Sequence, residues 1–286
     1  MKVLITGGAG NLGRRLAHLL LENGNLVRVF DLPQVDYSFF EGKSEVEIVK
    51  GDIRDEEVVQ RAVEGVDAVM HLAALIPPAS ERNRTLTMDI NVGGTERLLR
   101  GARKTNAHFI LASSVATYGD TSAVQPPIAV SQPQSPLDIY AESKIQSELA
   151  VKASGLPYTI LRIAPISIPE VLDPPEEWPF RPDQRVEYVN RDDVADALFA
   201  CANSSPARGK TFNVAGGGSW QMLAREYVSA LYDAMELEDE PVFTDAPSWY
   251  DWYDTVDSQE LLKYQNTPFP VFVEKLRQAA EEAFGW

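Results

Sequence analysis

The chain has 286 residues, 44% hydrophobic and 24% charged, a balance that excludes collagen-like, disordered and disulfide-scaffold classes. Asp and Glu number 42 against 26 Lys and Arg, and the formal net charge of -16 repels phosphate backbones and anionic lipid, so neither nucleic acid nor membrane is expected as a partner. The single cysteine, Cys201, has no bridging partner, no apolar run reaches the ~20 residues of a bilayer span, and Met1 leads straight into KVLIT, which together point to a reducing cytoplasm.

Short β-branched runs predict strands over 2–6, 26–31, 46–50, 66–72, 107–113 and 157–163. Between them, apolar residues at three- and four-residue intervals predict helices over 11–22, 55–64, 86–104 and 138–154. This alternation is the mark of βαβ units on a doubly wound, parallel, Rossmann-type α/β sheet. Prolines interrupt it at 119–137 and 165–182, which read as ordered loops or lids. A strand at 185–190 and a helix at 192–203 are expected to rejoin the sheet. Then come a strand at 210–214, a helix from Ser219, an aromatic run from Ser248 to Asp254 and a last helix at about 269–284. The expected organisation is a nucleotide-binding domain over 1–164, with 185–214 returning to it, and a smaller α/β substrate-binding part from 165–184 and 215–286.

Directly after the first strand, Thr6-Gly7-Gly8-Ala9-Gly10-Asn11-Leu12-Gly13 satisfies GxGxxG through Gly8, Gly10 and Gly13 and opens a helix. Glycines there let the backbone turn tightly against a pyrophosphate, whose charge meets the free N–H groups of the helix N-terminus. The expected contacts are Gly7, Gly10, Asn11, Leu12 and Gly13. The second strand ends in Asp31, 18 residues past Gly13, where a carboxylate accepts from both ribose hydroxyls and repels a 2′-phosphate, favouring NAD over NADP. Arg14, just after the last glycine, is the one feature that would offset that repulsion.

Tyr140 and Lys144, four apart in YAESK, share a helix face, and a neighbouring ammonium favours the phenolate. Ser113 and Ser114 end the fifth strand, the sheet edge where such folds place ligands, so a hydroxyl there can orient a substrate oxygen toward Tyr140. With these parts the sequence resembles the extended short-chain dehydrogenase/reductases, the NAD-dependent epimerase/dehydratase group. The resemblance runs through TGGAGNLG (6–13), Asp31, GDIRD (51–55), HLAA (71–74), NVGGT (91–95), SSVATYG (113–119), YAESK (140–144), LRIAP (161–165) and YVNRDDVADA (188–197), about the first 215 residues. It implies that Asp52 and Ile53 border the adenine and that Leu72, Ala73 and Ala74 line the cofactor. It further implies that Lys144 also holds the nicotinamide ribose, that Tyr140 touches the cofactor too, that Asn91, the family's asparagine on the central helix, is both a catalytic and a cofactor-binding residue, and that Ser114 is the catalytic Ser/Thr. Relatives pair through the helices after Asn91 and around Tyr140, so a homodimer is expected.

Other features read as structural. With three histidines in all, His71 suits a packed strand better than a metal site, and no metal is expected. Cys201 lies in the apolar helix pattern ALFACA. The aromatic run fits a substrate pocket, core packing or a dimer surface equally, and Gly216-Gly217-Gly218 reads as a plain turn.

Val115 and Ala116 stand where dehydratases of the resembling family carry an Asp-Glu pair and decarboxylating members a Glu, so neither chemistry has its acid or base here. Reversible hydride transfer at a secondary alcohol or ketone carbon remains, with Ser114, Tyr140 and Lys144 at the reacting centre. The lid up to Arg185 is short and proline-rich, which favours a small hydroxy or sugar-like substrate over a nucleotide sugar. A nucleotide-sugar 4-epimerase with tightly held NAD is the alternative, and a cofactor-sensing regulator without catalysis is a third reading, disfavoured by the intact Tyr/Lys pair. Arg82, Arg84, Arg181, Arg185 and Arg191 are candidates to meet a substrate anion, or else solvated charges.

Overall fold

The computed structural model describes residues 1–246 and 248–285. In chain order the elements are β1 (Lys2–Thr6), α1 (Asn11–Glu22), β2 (Leu26–Asp31), β3 (Val46–Lys50), α2 (Glu56–Val63), β4 (Ala68–His71), α3 (Arg84–Met88), α4 (Gly94–Ala102), β5 (His108–Ser114) and α5 (Ile139–Ala153). They continue with β6 (Tyr158–Ile163), β7 (Ile166–Ser167), β8 (Arg185–Val186), β9 (Val189–Asn190), α6 (Arg191–Asn203), β10 (Lys210–Val214), β11 (Met222–Leu223), α7 (Ala224–Ala234), α8 (Val256–Leu262) and α9 (Phe269–Phe284).

Seven strands form one parallel sheet in the order β10-β6-β5-β4-β1-β2-β3. The chain reverses direction of winding between β1 and β4, and the carboxyl ends of those strands open the crevice where such sheets bind ligands. Side chains alternate across the sheet as strand geometry requires. Val3 and Ile5 of β1 join the core under α1 and α6, with Leu16, Leu20, Val194 and Leu198. Leu4, between them, joins the opposite core under α2, α4 and α5, with Val59, Ala62, Leu98 and Val151. Both faces are covered, so β5 (HFILASS) is buried along its whole length. Truncating Leu20, wholly buried between α1 and the sheet, would cost ~2–5 kcal/mol.

The sequence expectations depart from the structure at three places. The helix expected over 86–104 is broken by a π-turn at Asp89–Gly93 between α3 and α4; the apolar spacing continues through it, so periodicity does not reveal the extra residue. Residues 185–190 do not rejoin the main sheet. They split into β8, antiparallel to β11, and β9, parallel to β7, because Val186 and Tyr188 turn into a third core with Phe180, Trp220, Tyr227, Tyr250, Phe272 and Leu276. The helix expected from Ser219 starts only at Ala224, after a 3-10 turn (Gly218–Trp220) and β11. The two proline-rich stretches hold no regular element apart from β7.

Candidate active site

The loop between β1 and α1 is shaped by close approach. Gly7 has φ +67°, and a Cβ there would stand 3.0 Å from the Ala73 nitrogen; a Cβ on Gly13 would stand 2.5 Å from the Gly7 carbonyl oxygen and 2.6 Å from Gly8 Cα. Side chains are excluded at both positions. α1 starts with Gly10 as N-cap, no side chain caps it, and no acidic residue lies in its first turn. Its free N–H groups and the positive end of its dipole are left for an anion.

This loop forms one wall of a cleft of about 690 Å³, within the ~300–1,000 Å³ of cofactor and small-molecule sites. Gly7, Gly10, Asn11, Leu12, Gly13, Asp31, Asp52, Ile53, Leu72, Ala73 and Ala74 all line it. Asp31, half-buried at the end of β2, accepts the Ala9 N–H through Oδ2 (3.0 Å) and the Leu32 N–H through Oδ1 (2.8 Å). Each oxygen thus keeps lone pairs for further donors. Arg14 faces Asp36 at 4.0 Å. Asp52 is held by the Arg54 guanidinium (2.6 Å), which lowers its pKa. A glycine loop packed too closely for a Cβ at Gly7 or Gly13, an uncapped helix and a carboxylate across from them fit a dinucleotide.

Beside the cleft, parallel pairing of β5 with β6 sets Ser114 opposite Ile163. Ser114 Oγ accepts the Ala116 N–H (3.1 Å), and its hydroxyl faces the Tyr140 phenol closely enough to lower that phenol's pKa. Tyr140 opens α5, where Asp138 caps the Ala141 N–H (2.6 Å) and Glu81 accepts the N–H groups of Ile139 (2.9 Å) and Tyr140 (3.1 Å). One turn on, Lys144 Nζ lies 5.6 Å from the Tyr140 ring centroid and donates to the Ala112 carbonyl (2.7 Å). Ser114, Tyr140 and Lys144 are therefore brought together. Burial pushes the Tyr140 phenol up to about 12 and Asp138 adds to this, while the Ser114 hydroxyl opposes it. Lys144 is not among the groups that shift the phenol here; its ammonium lies over the Tyr140 ring and donates a hydrogen bond to the Ala112 carbonyl. Burial lowers Lys144 itself to about 8, and the Glu148 carboxylate holds it up.

Asn91 is buried in the π-turn, but its side chain does not reach Tyr140 or Lys144. It clamps Leu75 through both backbone atoms (2.7 and 3.0 Å) and donates to Ser143 Oγ (2.9 Å). It thereby ties the cleft-lining loop after β4 to α5. His71 lies beneath, between Thr6 Oγ1 (2.7 Å) and Thr95 Oγ1 (2.9 Å), and burial lowers its pKa to about 3, with Lys144 adding to this. It is neutral and packed.

Several residues that support the site escaped the sequence reading. Glu148, one turn after Lys144 and 1% exposed, accepts from Ser113 Oγ (2.7 Å) and from Arg162 through both oxygens (3.0 and 2.8 Å). Arg162 also reaches the Tyr118 hydroxyl (3.0 Å), which donates to Asn213 (2.6 Å). The i,i+4 spacing of Lys144 and Glu148 was a usable signal; Glu81, 59 residues from Tyr140, offered none. Of the arginines considered for a substrate anion, Arg84 pairs with Glu142, Arg181 with Asp183, Arg185 with Asp251, and Arg191 with Glu170 and Asp192. The aromatic run packs inward: Tyr250 and Tyr253 are buried, and Trp249 stacks on Tyr250 at 4.1 Å. The Gly216–Gly218 turn is met by a carboxylate, Glu187 accepting the Gly217 N–H (2.8 Å). Cys201 is buried. Among the described residues no group of three His, Cys, Asp or Glu gathers, and no helix is long and apolar enough to cross a membrane.

Fold and site together define a doubly wound dinucleotide-type protein with a Ser, Tyr and Lys beside its cleft. A family model, "NAD dependent epimerase/dehydratase family", matches residues 3–177, and the chain belongs to that family. Among curated relatives it is 35% identical over 171 residues to UDP-glucose 4-epimerase of Lactobacillus helveticus, covering 57% of this chain and 51% of that one. It is 28% identical over 255 residues to D-erythronate dehydrogenase of Cupriavidus necator, covering 84% and 74%. The chain spans about half the length of most curated relatives it matches. A solved short-chain dehydrogenase/reductase superfamily protein from Agrobacterium tumefaciens with bound NAD superposes with TM-score 0.83 at 20% identity, covering 100% of this chain and 98% of that one.

Proposed function

We propose that this protein is an NAD-dependent oxidoreductase that transfers a hydride at the secondary alcohol or ketone carbon of a small hydroxy or sugar-like substrate. The observation that carries this reading is the contact of Ser114, Tyr140 and Lys144 at the carboxyl edge of the sheet, beside a cleft cradled by Gly7 and Gly13. The glycine loop and the α1 N-terminus would hold the diphosphate, Asp31 the adenosine ribose and Lys144 the nicotinamide ribose, with Asp52, Ile53, Leu72, Ala73 and Ala74 along the cofactor. A nicotinamide dinucleotide, when bound, would supply the hydride acceptor or donor and, when oxidised, a positive charge.

Ser114 holds the substrate oxygen and Tyr140 exchanges its proton. A phenol near 12 stands ready as donor to a developing alkoxide; in the oxidation direction a cation beside it favours the phenolate that accepts the hydroxyl proton. Glu81 and Asp138 fix the α5 backbone, so that the Tyr140 oxygen faces Ser114. Asn91 is a positioning residue that holds the Leu75 loop. The smaller part, 165–184 and 215–286, supplies the substrate pocket, and the protein works as a cytoplasmic homodimer through α4 and α5.

The arginines and the short, proline-rich lid favour a small substrate. Arg84, Arg181 and Arg185 are tied to protein carboxylates, which leaves little cation for the diphosphate of a nucleotide sugar. The match to D-erythronate dehydrogenase extends over 84% of the chain, whereas that to the 4-epimerase covers 57%. The test is NADH formation across sugar acids, hydroxy acids, free sugars and alicyclic alcohols, run beside UDP- and GDP-sugars with product analysis. Net NADH on a small alcohol supports the reading; epimer formed from a nucleotide sugar without net NADH replaces it with the 4-epimerase.

A further inference from the structure

We propose that Arg191 is a diphosphate-binding residue of the dinucleotide site, contributed by α6 from outside the glycine loop. This rests on the reading of the cleft as a dinucleotide site and adds a residue to it. Arg191 opens α6, which packs along α1 in the core that holds Leu16, Leu20, Val194 and Leu198. Its Nη1 donates to Asn11 Oδ1 (2.9 Å) and to Glu170 Oε1 (3.1 Å), and its Nε to Asp192 Oδ1 (3.0 Å). Asn11 is the first residue of α1 and lines the cleft. The guanidinium is therefore anchored at the helix end whose N–H groups are uncapped.

Three observations separate this arginine from a solvated surface charge. Its side chain is only 19% exposed. Among the described residues Nη2 has no hydrogen-bond partner, so two of the five donors of the fork are uncommitted. The neighbouring carboxylate Asp192 is also paired with Arg15 (3.2 Å), so its charge is shared between two cations. A diphosphate brings about two negative charges to a chain already at -16, and neutral N–H groups offset these only in part; a planar guanidinium meets phosphate oxygens through paired, charge-assisted bonds. Glu170, from the proline-rich segment after β6, holds the arm in place and is not itself a ligand.

Wild type, Arg191→Gln, Arg191→Lys and Glu170→Gln are titrated calorimetrically with NAD, ADP-ribose and adenosine, and the melting temperature of each ligand-free protein is measured. Arg191→Gln should bind NAD and ADP-ribose about 10- to 100-fold more weakly, the usual worth of a hydrogen bond between charged groups, with adenosine unchanged. Arg191→Lys should recover part of the loss, and Glu170→Gln should stay within about threefold of wild type. Unchanged NAD affinity in Arg191→Gln overturns the proposal. So does an equal loss for adenosine, which would mean general distortion, or a full loss in Glu170→Gln, which would mean that the arginine acts only through the lid segment. A wild type that binds no NAD overturns the underlying reading as well, and does so before any variant is compared.

Discussion

The two ends of the site are built by different means. The end formed by β1, α1 and β2 uses backbone: glycines that exclude Cβ atoms, uncapped N–H groups and one carboxylate, all within the first 31 residues. The end formed by Ser114, Tyr140 and Lys144 uses buried side chains gathered from afar: Glu81 lies 59 residues from Tyr140, and Tyr118 bonds Asn213 across 95. A backbone site fails first when volume is added. A side-chain site tolerates volume better and fails when a proton or a charge partner is removed.

The largest effect that sharpens this contrast is on chemistry alone. Tyr140→Phe should lower turnover on the substrate found in the panel ~100- to 10,000-fold and leave NAD affinity within about twofold. Retained turnover breaks the contrast. Gly13→Ala should do the reverse, since its Cβ meets only backbone at 2.5 and 2.6 Å. A cost of ~1–3 kcal/mol, read as a roughly 10- to 100-fold loss of NAD affinity, is expected from such overpacking, and unchanged affinity would show that the loop yields.

Glu148→Ala leaves Arg162, 4% exposed, without its carboxylate and should destabilise the fold by ~3–5 kcal/mol in denaturant unfolding. Replacing Arg162 with Met as well should restore much of that loss. If the single variant unfolds like wild type, the network is not holding this end of the site.

The smallest effect lies in the third core. Burial raises Glu187 to about 7, against hydrogen bonds from the Tyr253 and Gly217 N–H groups and Gln221. The fold thus prefers the protonated acid, and the stability this contributes is full below the unfolded value near ~4.5 and is lost as pH rises through about 7. Measured as a difference, Glu187→Gln should gain on wild type by roughly 3 kcal/mol at most between pH 5 and pH 7.5. His71 and His108, lowered to about 3 and about 4, act in the opposite direction below ~6.5 in both proteins and cancel in that difference. A flat difference contradicts the assignment.

The same contrast decides what was legible in the sequence. Local spacing located the strands of the main sheet, the glycine loop, Asp31 and the Tyr140–Lys144 turn, because each depends on residues a few positions apart. It missed the π-turn that carries Asn91, since one inserted residue leaves the apolar pattern intact. It sent 185–190 into the wrong sheet, because the fate of that segment rests on Val186, Glu187 and Tyr188 meeting Trp220, Gly217 and Tyr250, contacts without local signature. Arg185 was open between substrate and solvent until Asp251, 66 residues on, took it at 2.5 Å.

The central claim, that the backbone-built end of the cleft holds NAD, is tested most directly by calorimetric titration of the wild-type protein with NAD and NADP. Asp31 predicts saturable binding of NAD with a preference of about tenfold or more over NADP. Binding of neither, or equal binding of both, would contradict it.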